Sequence, residues 1–133
     1  MIKGKPDIKT NIKYYFDKWY KLLDLSWWNI NLVFCETEEE AEEKLSYSKL
    51  FDDIPAASCD SAWQYGEANL WFNIPYLTKE NVSKERIEYV VLHELCHILV
   101  NEMGCKDKDH EERVVTYLAR GYCRTQAVID EQP

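Results

Sequence analysis

The chain has 133 residues, 46% of them hydrophobic, and a formal net charge of −8. This length and apolar content predict one domain over residues 1–133 that can bury a core. With 24 acidic against 16 basic residues and no basic cluster free of neighbouring acids, the charge argues against binding to nucleic acids or anionic membranes.

The cysteines and the N-terminus predict a cytoplasmic protein. The five cysteines are an odd number and form no CxxC pair, which favours reduced thiols over a disulfide framework. The opening "MIKGKPDIKT" has no apolar run and no small-residue cleavage pattern, so we expect no secretory signal. The longest apolar stretches are too short to span a bilayer.

The first third of the chain predicts a helix followed by a strand. Apolar residues recur at helical spacing from Thr10 to Leu25, with lysines and an aspartate on the other face. Residues 29–36 alternate in the period-two pattern of a half-buried strand. The region from Thr37 to Pro55 opens with an acidic run, and either a short helix starting at Thr37 or a mobile loop fits it.

The middle of the chain predicts a β-hairpin. Two β-type runs between Ala56 and Ile74 flank the tripeptide Tyr65-Gly66-Glu67, where glycine supplies the turn geometry. Pro75 ends this strand region because it cannot donate to a sheet ladder.

Two helices are predicted to complete an α+β fold. Ser83 can cap a helix that reaches about Met103, and Gly104 stands where a left-handed C-terminal cap is expected. Asp109 is predicted to begin a second helix, in which Glu112 completes a capping box.

The pentapeptide "HELCH" in the first of these helices has the pattern of a metal site. His93 and His97 lie about 40° apart on one helix face, so both imidazoles can bind one ion. Zinc accepts neutral imidazole nitrogens at about 2.0–2.1 Å. Glu94, about 100° from His93, is poorly placed as a ligand but can reach a water bound to the metal.

Metal-assisted hydrolysis explains why these residue types occur together. A bound metal lowers the pKa of its water towards about 7 and polarises a scissile carbonyl, while Glu94 accepts the proton and passes it to the leaving amine. The alternative is a buried helix whose histidines are satisfied by hydrogen bonds. We favour the metal because apolar residues surround the motif on nearly every side, and buried polar groups there require partners.

The third ligand is expected at the start of the last helix. Val115, Leu118 and Tyr122 place the apolar face of this helix around Glu111, and a buried charge there is costly unless it is paired or binds a metal. We therefore favour Glu111. His110 and Glu112 remain alternatives, although Glu112 is also explained by the capping box and the helix dipole.

Together these features resemble a small zincin-type zinc metallopeptidase of the glutamate-ligand kind. The resemblance covers roughly residues 56–122 and includes "HELCH" in its apolar helix, the preceding hairpin and the following acidic helix. It implies that His93, His97 and Glu111 bind Zn²⁺ and that Glu94 is the general base. It further implies a small twisted, mostly antiparallel sheet over the active-site helix, with the hairpin between Ala62 and Ile74 aligning an extended peptide substrate.

The chain departs from the larger zincin families. The metzincin extension HExxHxxGxxH fails, because Val100 replaces its glycine and Met103 its last histidine. The short gap between His97 and Glu111 suggests a minimal form, such as the SprT-like, ImmA/IrrE-like or phage-type zincins. The competing hypothesis is a non-catalytic zinc-binding domain that binds a partner protein; retention of Glu94 counts against it, because a structural site needs no base.

Overall fold

The computed structural model describes residues 7–45, 56–62, 65–79, 82–101 and 108–131, and the side chains of 62, 101 and 108–110 lie outside that description. Within these residues the fold is α+β, as predicted, and no helix has the length and apolarity needed to cross a membrane. The elements are α1 (Ile8–Leu22), β1 (Asn29–Cys35), α2 (Glu38–Lys44), β2 (Ala57–Ala62), β3 (Glu67–Asn73), α3 (Ile74–Lys79), α4 (Lys84–Asn101) and α5 (Lys108–Glu131).

The described strands form one mixed sheet in the order β1-β3-β2. β2 and β3 are antiparallel, whereas β1 and β3 are parallel, so the prediction of a mostly antiparallel sheet is wrong for one of the two pairs. A parallel pair requires a long crossover. Residues 36–66, which contain α2 and β2, supply it, and the second strand of the hairpin thereby becomes the central strand.

The predicted hairpin is confirmed, and Gly66 forms its turn. Gly66 has a φ of +62°, the left-handed region that favours glycine. Its carbonyl accepts a 2.7 Å hydrogen bond from the backbone N–H of Asn29, which ties the turn to the start of β1. A Cβ at this position would lie 3.2 Å from both the ring and the carbonyl oxygen of Trp27.

Two glycine-to-alanine substitutions should therefore change stability in opposite directions. Gly66→Ala should lower the free energy of unfolding by about 1–2 kcal/mol, because the left-handed backbone is strained for alanine and Trp27 is close. Gly121→Ala, in open space within α5, should raise it by up to about 1 kcal/mol through helix propensity. Urea denaturation measures both, and equal effects would contradict the assigned turn.

Helix α4 lies at the centre of the packing, as its apolar sequence predicts. It packs against α1, α5 and β2, and the inward face of β3 contributes Ala68, Leu70 and Phe72 to the same core. A smaller cluster of Cys35, Ala41 and Leu45 lies under α2. The buried apolar residues of α4 are Ile87, Val90, Val91, Leu92, Leu95, Cys96, Ile98 and Val100.

A buried polar contact joins α1 to α4. One carboxylate oxygen of Glu88 accepts hydrogen bonds from the indole Nε1 of Trp19 and the ammonium of Lys18, each at 2.8 Å. Because Glu88 is partly buried, these two donors offset the cost of removing its charge from water. The contact holds α1 against α4 at Glu88, about one and a half helical turns before His93.

Most predicted helix starts are close to the observed ones. Helix α1 spans Ile8–Leu22 instead of the predicted Thr10 to Leu25, and the side chain of Asp7 caps it by accepting from the backbone N–H of Lys9. Thr37 caps α2, so the helical alternative holds for residues 38–44, while residues 46–55 lie outside the described residues. Ser83 caps α4 as predicted, accepting from the backbone of Arg86 at 3.1 Å.

One predicted helix start is wrong, one short helix has no counterpart in the predictions, and one predicted helix end lies outside the described residues. Asp109 is not the cap of α5, because the helix already includes Lys108. The short helix α3 was not predicted: Asn73 accepts from the backbone N–H of Tyr76 at 3.2 Å, and Pro75 occupies the first turn, where its missing N–H costs nothing. The predicted end of α4 at Met103 and Gly104 falls in residues 102–107, which are not described.

Candidate metal-binding site

The two histidines of α4 lie side by side, as their four-residue spacing predicts. The ring centroids of His93 and His97 are 5.1 Å apart with the rings nearly perpendicular. Both side chains are largely buried, with exposed fractions of 17% and 14%. The helix therefore presents four imidazole nitrogens within a small, largely buried region.

His93, Glu94 and His97 could together hold a metal ion. One ligand atom from each residue lies within 4.8 Å of the others. Glu94 is itself buried, at 6% exposure, and its Oε2 lies 3.2 Å from Nδ1 of His93. Its carboxylate thus borders the histidine pair.

The first turn of α5 brings two acids to the same histidines. Oε1 of Glu112 lies 2.8 Å from Nε2 of His97, and its Oε2 lies 3.5 Å from Nε2 of His93. The Glu112 side chain is 56% exposed. One carboxylate from α5 therefore faces the Nε2 atoms of both rings from the solvent side.

Glu111 contacts the opposite edge of the second histidine. Its Oε2 lies 2.7 Å from Nδ1 of His97. The residue is buried, at 6% exposure, as its position on the apolar face of α5 predicts. Its Oε1 is buried and has no hydrogen-bond partner within the described residues. The side chain of the third candidate, His110, lies outside the description.

The two carboxylates change the acid–base behaviour of the ring between them. Burial lowers the pKa of His97, but the hydrogen bonds that its ring donates to Glu112 and Glu111 and the charge of Glu94 outweigh this effect and raise the pKa to about 9. Without a metal, His97 is consequently an imidazolium held between carboxylates at neutral pH.

The metal-free protein should lose stability as the pH rises. The pKa of His97 is raised from 6.5 to about 9, so its contribution is fully present below pH 6.5 and is lost as the pH passes through 9. We expect a loss of about 2 kcal/mol between pH 6.5 and 8.5, measured by urea denaturation with a chelator.

The His97→Gln variant is the control for this measurement, because it removes the titrating ring. Burial also raises the pKa values of the thiols of Cys96 and Cys123, to about 12 and 11, but the unfolded thiols titrate mainly above the chosen range. An identical pH slope in wild type and variant would contradict the assigned role of His97.

Sequence reasoning missed two neighbours of the site. Cys59 on β2 has its pKa raised by burial and by the charges of Glu94, Asp60 and Glu111, so this thiol remains protonated near the two acids. The ring of Tyr89, one turn before His93, lies 5.7 Å from it between centroids. Tyr89 lies four residues before His93, so helical spacing could have predicted its position beside the site. Cys59 is distant in sequence, and only the pairing of β2 in the sheet brings it near the site.

Comparisons with protein-family models, curated proteins and solved structures each found no match to this chain. The functional assignment therefore depends on the geometry of the site.

Proposed function

We propose that this chain is a zinc-dependent peptidase, with His93, His97 and an acid from the first turn of α5 as metal ligands. The observation that carries the proposal is the position of Glu112, whose carboxylate lies 2.8 and 3.5 Å from the Nε2 atoms of the two histidines. Two imidazoles on one helix and a carboxylate from another make the donor set of a catalytic zinc site with one open position.

The chemistry of the surrounding residues fits a cation. Among the described residues, one oxygen of the buried Glu111 carboxylate has no hydrogen-bond partner, and Glu94 and Glu111 are both buried near the imidazole of His97. A divalent cation in place of the His97 proton would supply further positive charge to offset the burial of these carboxylates. The residues that lie close enough to share a metal are histidines and a glutamate rather than cysteines, a donor set more typical of open catalytic zinc sites than of closed structural ones. An open site suits hydrolysis better than a purely structural role.

Glu94 is the proposed general base. When bound, zinc would supply Lewis-acid polarisation of the scissile carbonyl and lower the pKa of a coordinated water. A Glu94 oxygen lies within 4.8 Å of ring nitrogens of both histidines, a separation that one water can bridge. Glu94 would accept the proton of that water and then donate it to the leaving amine.

The proposed substrate is an extended peptide lying along β2. This strand packs against α4, and among the described strands its only neighbour is β3. The resemblance pointed to the hairpin between Ala62 and Ile74, but β3 is paired on both edges and has no free ladder. The backbone of residues 57–62 is therefore the better candidate for pairing with substrate.

Hydrolysis by the zinc-loaded protein tests the proposal directly. Metal-free protein, protein reloaded with one equivalent of zinc, and protein kept in chelator would be incubated with unfolded casein and a mixed peptide library. We expect new peptide termini, detected by mass spectrometry, in the zinc-loaded sample alone. Uptake of zinc without any cleavage would refute the peptidase assignment.

One observation favours a non-catalytic alternative. The Oε2 of Glu94 is engaged with Nδ1 of His93 at 3.2 Å, the contact expected of a residue that orients a ligand. Under this alternative the metal stabilises a domain that binds a partner protein. The same experiment separates the two functions, because the alternative predicts zinc uptake and stabilisation with no hydrolysis.

A further inference from the structure

We infer that the two adjacent acids of α5 have different roles, Glu112 binding the metal and Glu111 positioning His97. This inference rests on the metal site of the proposed function but not on peptide hydrolysis. Helical spacing alone favours Glu111 as the ligand, because this residue faces the core. The decisive feature is which edge of each imidazole the two carboxylates contact.

Both ring nitrogens of His97 lie beside a carboxylate, Nδ1 beside Glu111 and Nε2 beside Glu112. A neutral imidazole has one N–H and one lone pair, and it binds a metal through the lone pair. Glu111 Oε2 lies 2.7 Å from Nδ1, and a buried carboxylate can only accept there. A metal shared by both histidines would replace the proton at Nε2, because Glu112 faces Nε2 of both rings, and would leave the N–H of His97 on Nδ1, beside Glu111.

The same arrangement holds for the first histidine. Glu94 lies 3.2 Å from Nδ1 of His93, which leaves Nε2 directed towards Glu112. Glu112 is therefore the acid of α5 that faces the same nitrogen of both rings. Glu111 contacts the Nδ1 edge of His97 and faces the core.

The spacing of the atoms agrees with a shared metal. Donors on tetrahedral zinc at about 2.0–2.1 Å from the ion lie roughly 3.3–3.4 Å from each other. The two separations between Glu112 oxygens and Nε2 atoms, 2.8 and 3.5 Å, lie on either side of this value.

Helix geometry explains why neighbouring residues can divide the two tasks. Consecutive residues point about 100° apart, so Glu111 is directed inward and Glu112 outward from the same turn of α5. The inward carboxylate is buried, and one of its oxygens has no hydrogen-bond partner in the part of the chain that the structure describes. Accepting the Nδ1 proton increases the basicity of the ligating ring and fixes its orientation.

Cobalt binding to two cysteine variants tests this division. Glu112→Cys and Glu111→Cys would each be titrated with Co²⁺ under reducing conditions, with the wild-type cobalt spectrum as the reference for the native thiols. A thiolate bound to Co²⁺ produces a ligand-to-metal charge-transfer band in the near ultraviolet. We expect a new band in Glu112→Cys and none in Glu111→Cys.

Zinc affinity provides a second measurement, using competition with a chromophoric chelator. Glu111→Ala should weaken zinc binding by about 10–100-fold, as loss of an orienting residue does. Glu111→Gln should recover most of the affinity, because its amide oxygen still accepts a hydrogen bond from Nδ1–H of His97. Glu112→Gln should weaken binding further than Glu111→Ala, whereas Glu131→Gln, an exposed acid at the end of α5, should match wild type.

The outcomes separate this inference from the proposed function. A new band in Glu111→Cys alone, or in neither variant, would overturn the division of roles while leaving metal binding intact. Metal binding with the predicted bands but no peptide cleavage would support the division and refute the peptidase. A wild-type protein that takes up neither cobalt nor zinc would overturn both.

Discussion

Replacing Glu94 with glutamine should leave zinc bound and lower the turnover of peptide hydrolysis by about 10²–10⁴-fold. The amide is isosteric with the carboxylate, and its oxygen can still accept a hydrogen bond from Nδ1–H of His93, which lies 3.2 Å from the carboxylate in the wild type. It cannot accept a proton from water, so the loss falls on the chemical step. Steady-state kinetics on a cleaved peptide, with zinc content measured on the same samples, would show a reduced kcat.

The matched control for Glu94→Gln is Glu85→Gln, which neutralises an exposed acid in the first turn of the same helix. It should retain wild-type kinetics. A Glu94→Gln variant with full activity would rule out the general-base role. A variant that loses zinc together with activity would instead place Glu94 among the groups that hold the metal.

Zinc should raise the thermal midpoint of the wild-type protein by about 10 °C when free zinc exceeds its dissociation constant 100-fold. Such an excess stabilises the folded state by about 2.7 kcal/mol, and a chain of this length gains several degrees per kcal/mol. His93→Ala should abolish the shift, since one of the two imidazole ligands is gone. Thermal unfolding followed by circular dichroism, with and without zinc, measures it.

Two further variants control the thermal-shift experiment. Glu94→Gln should keep the full shift, because the proposed base is not a ligand. His97→Ala should abolish the shift and also lower the midpoint of the metal-free protein, because Glu111 loses the hydrogen bond to its one partnered oxygen. An undiminished shift in either histidine variant would contradict the assigned ligands.

The strongest local signals in the sequence predicted the elements that build the site. The apolar run around "HELCH" predicted a buried central helix, and α4 is one. The glycine at position 66 predicted the hairpin turn, and it has a positive φ. Each of these patterns involves only a few residues that are close in sequence, so the local sequence is sufficient to predict the structural element.

The sheet order and α3 could not be predicted from such signals. The pairing of β1 with β3 joins Ile30 to Ala68, and no local pattern encodes which edge of a hairpin a distant strand will choose. The helix α3 follows from the Asn73 cap and Pro75 in its first turn. From the sequence, Pro75 predicts only the end of a strand.

The roles proposed for Glu111 and Glu112 could not be predicted from helical spacing, which gives only the face of α5 on which each residue lies. The spacing correctly predicted that Glu111 faces the core. Whether a core-facing carboxylate meets Nδ1 or Nε2 of His97 depends on ring orientation and on the angle between α4 and α5. Those are tertiary quantities, and they change the proposed ligand from Glu111 to Glu112.

The contact of Glu88 with Trp19 and Lys18 limits how the site could be transplanted. A peptide containing α4 and α5 alone would carry every proposed ligand, yet it would leave the Glu88 carboxylate without its two donors from α1. It would also expose the side of α4 that packs on β2. A designer who wishes to move this histidine pair into another scaffold would therefore need to carry the N-terminal helix and the edge strand along with it.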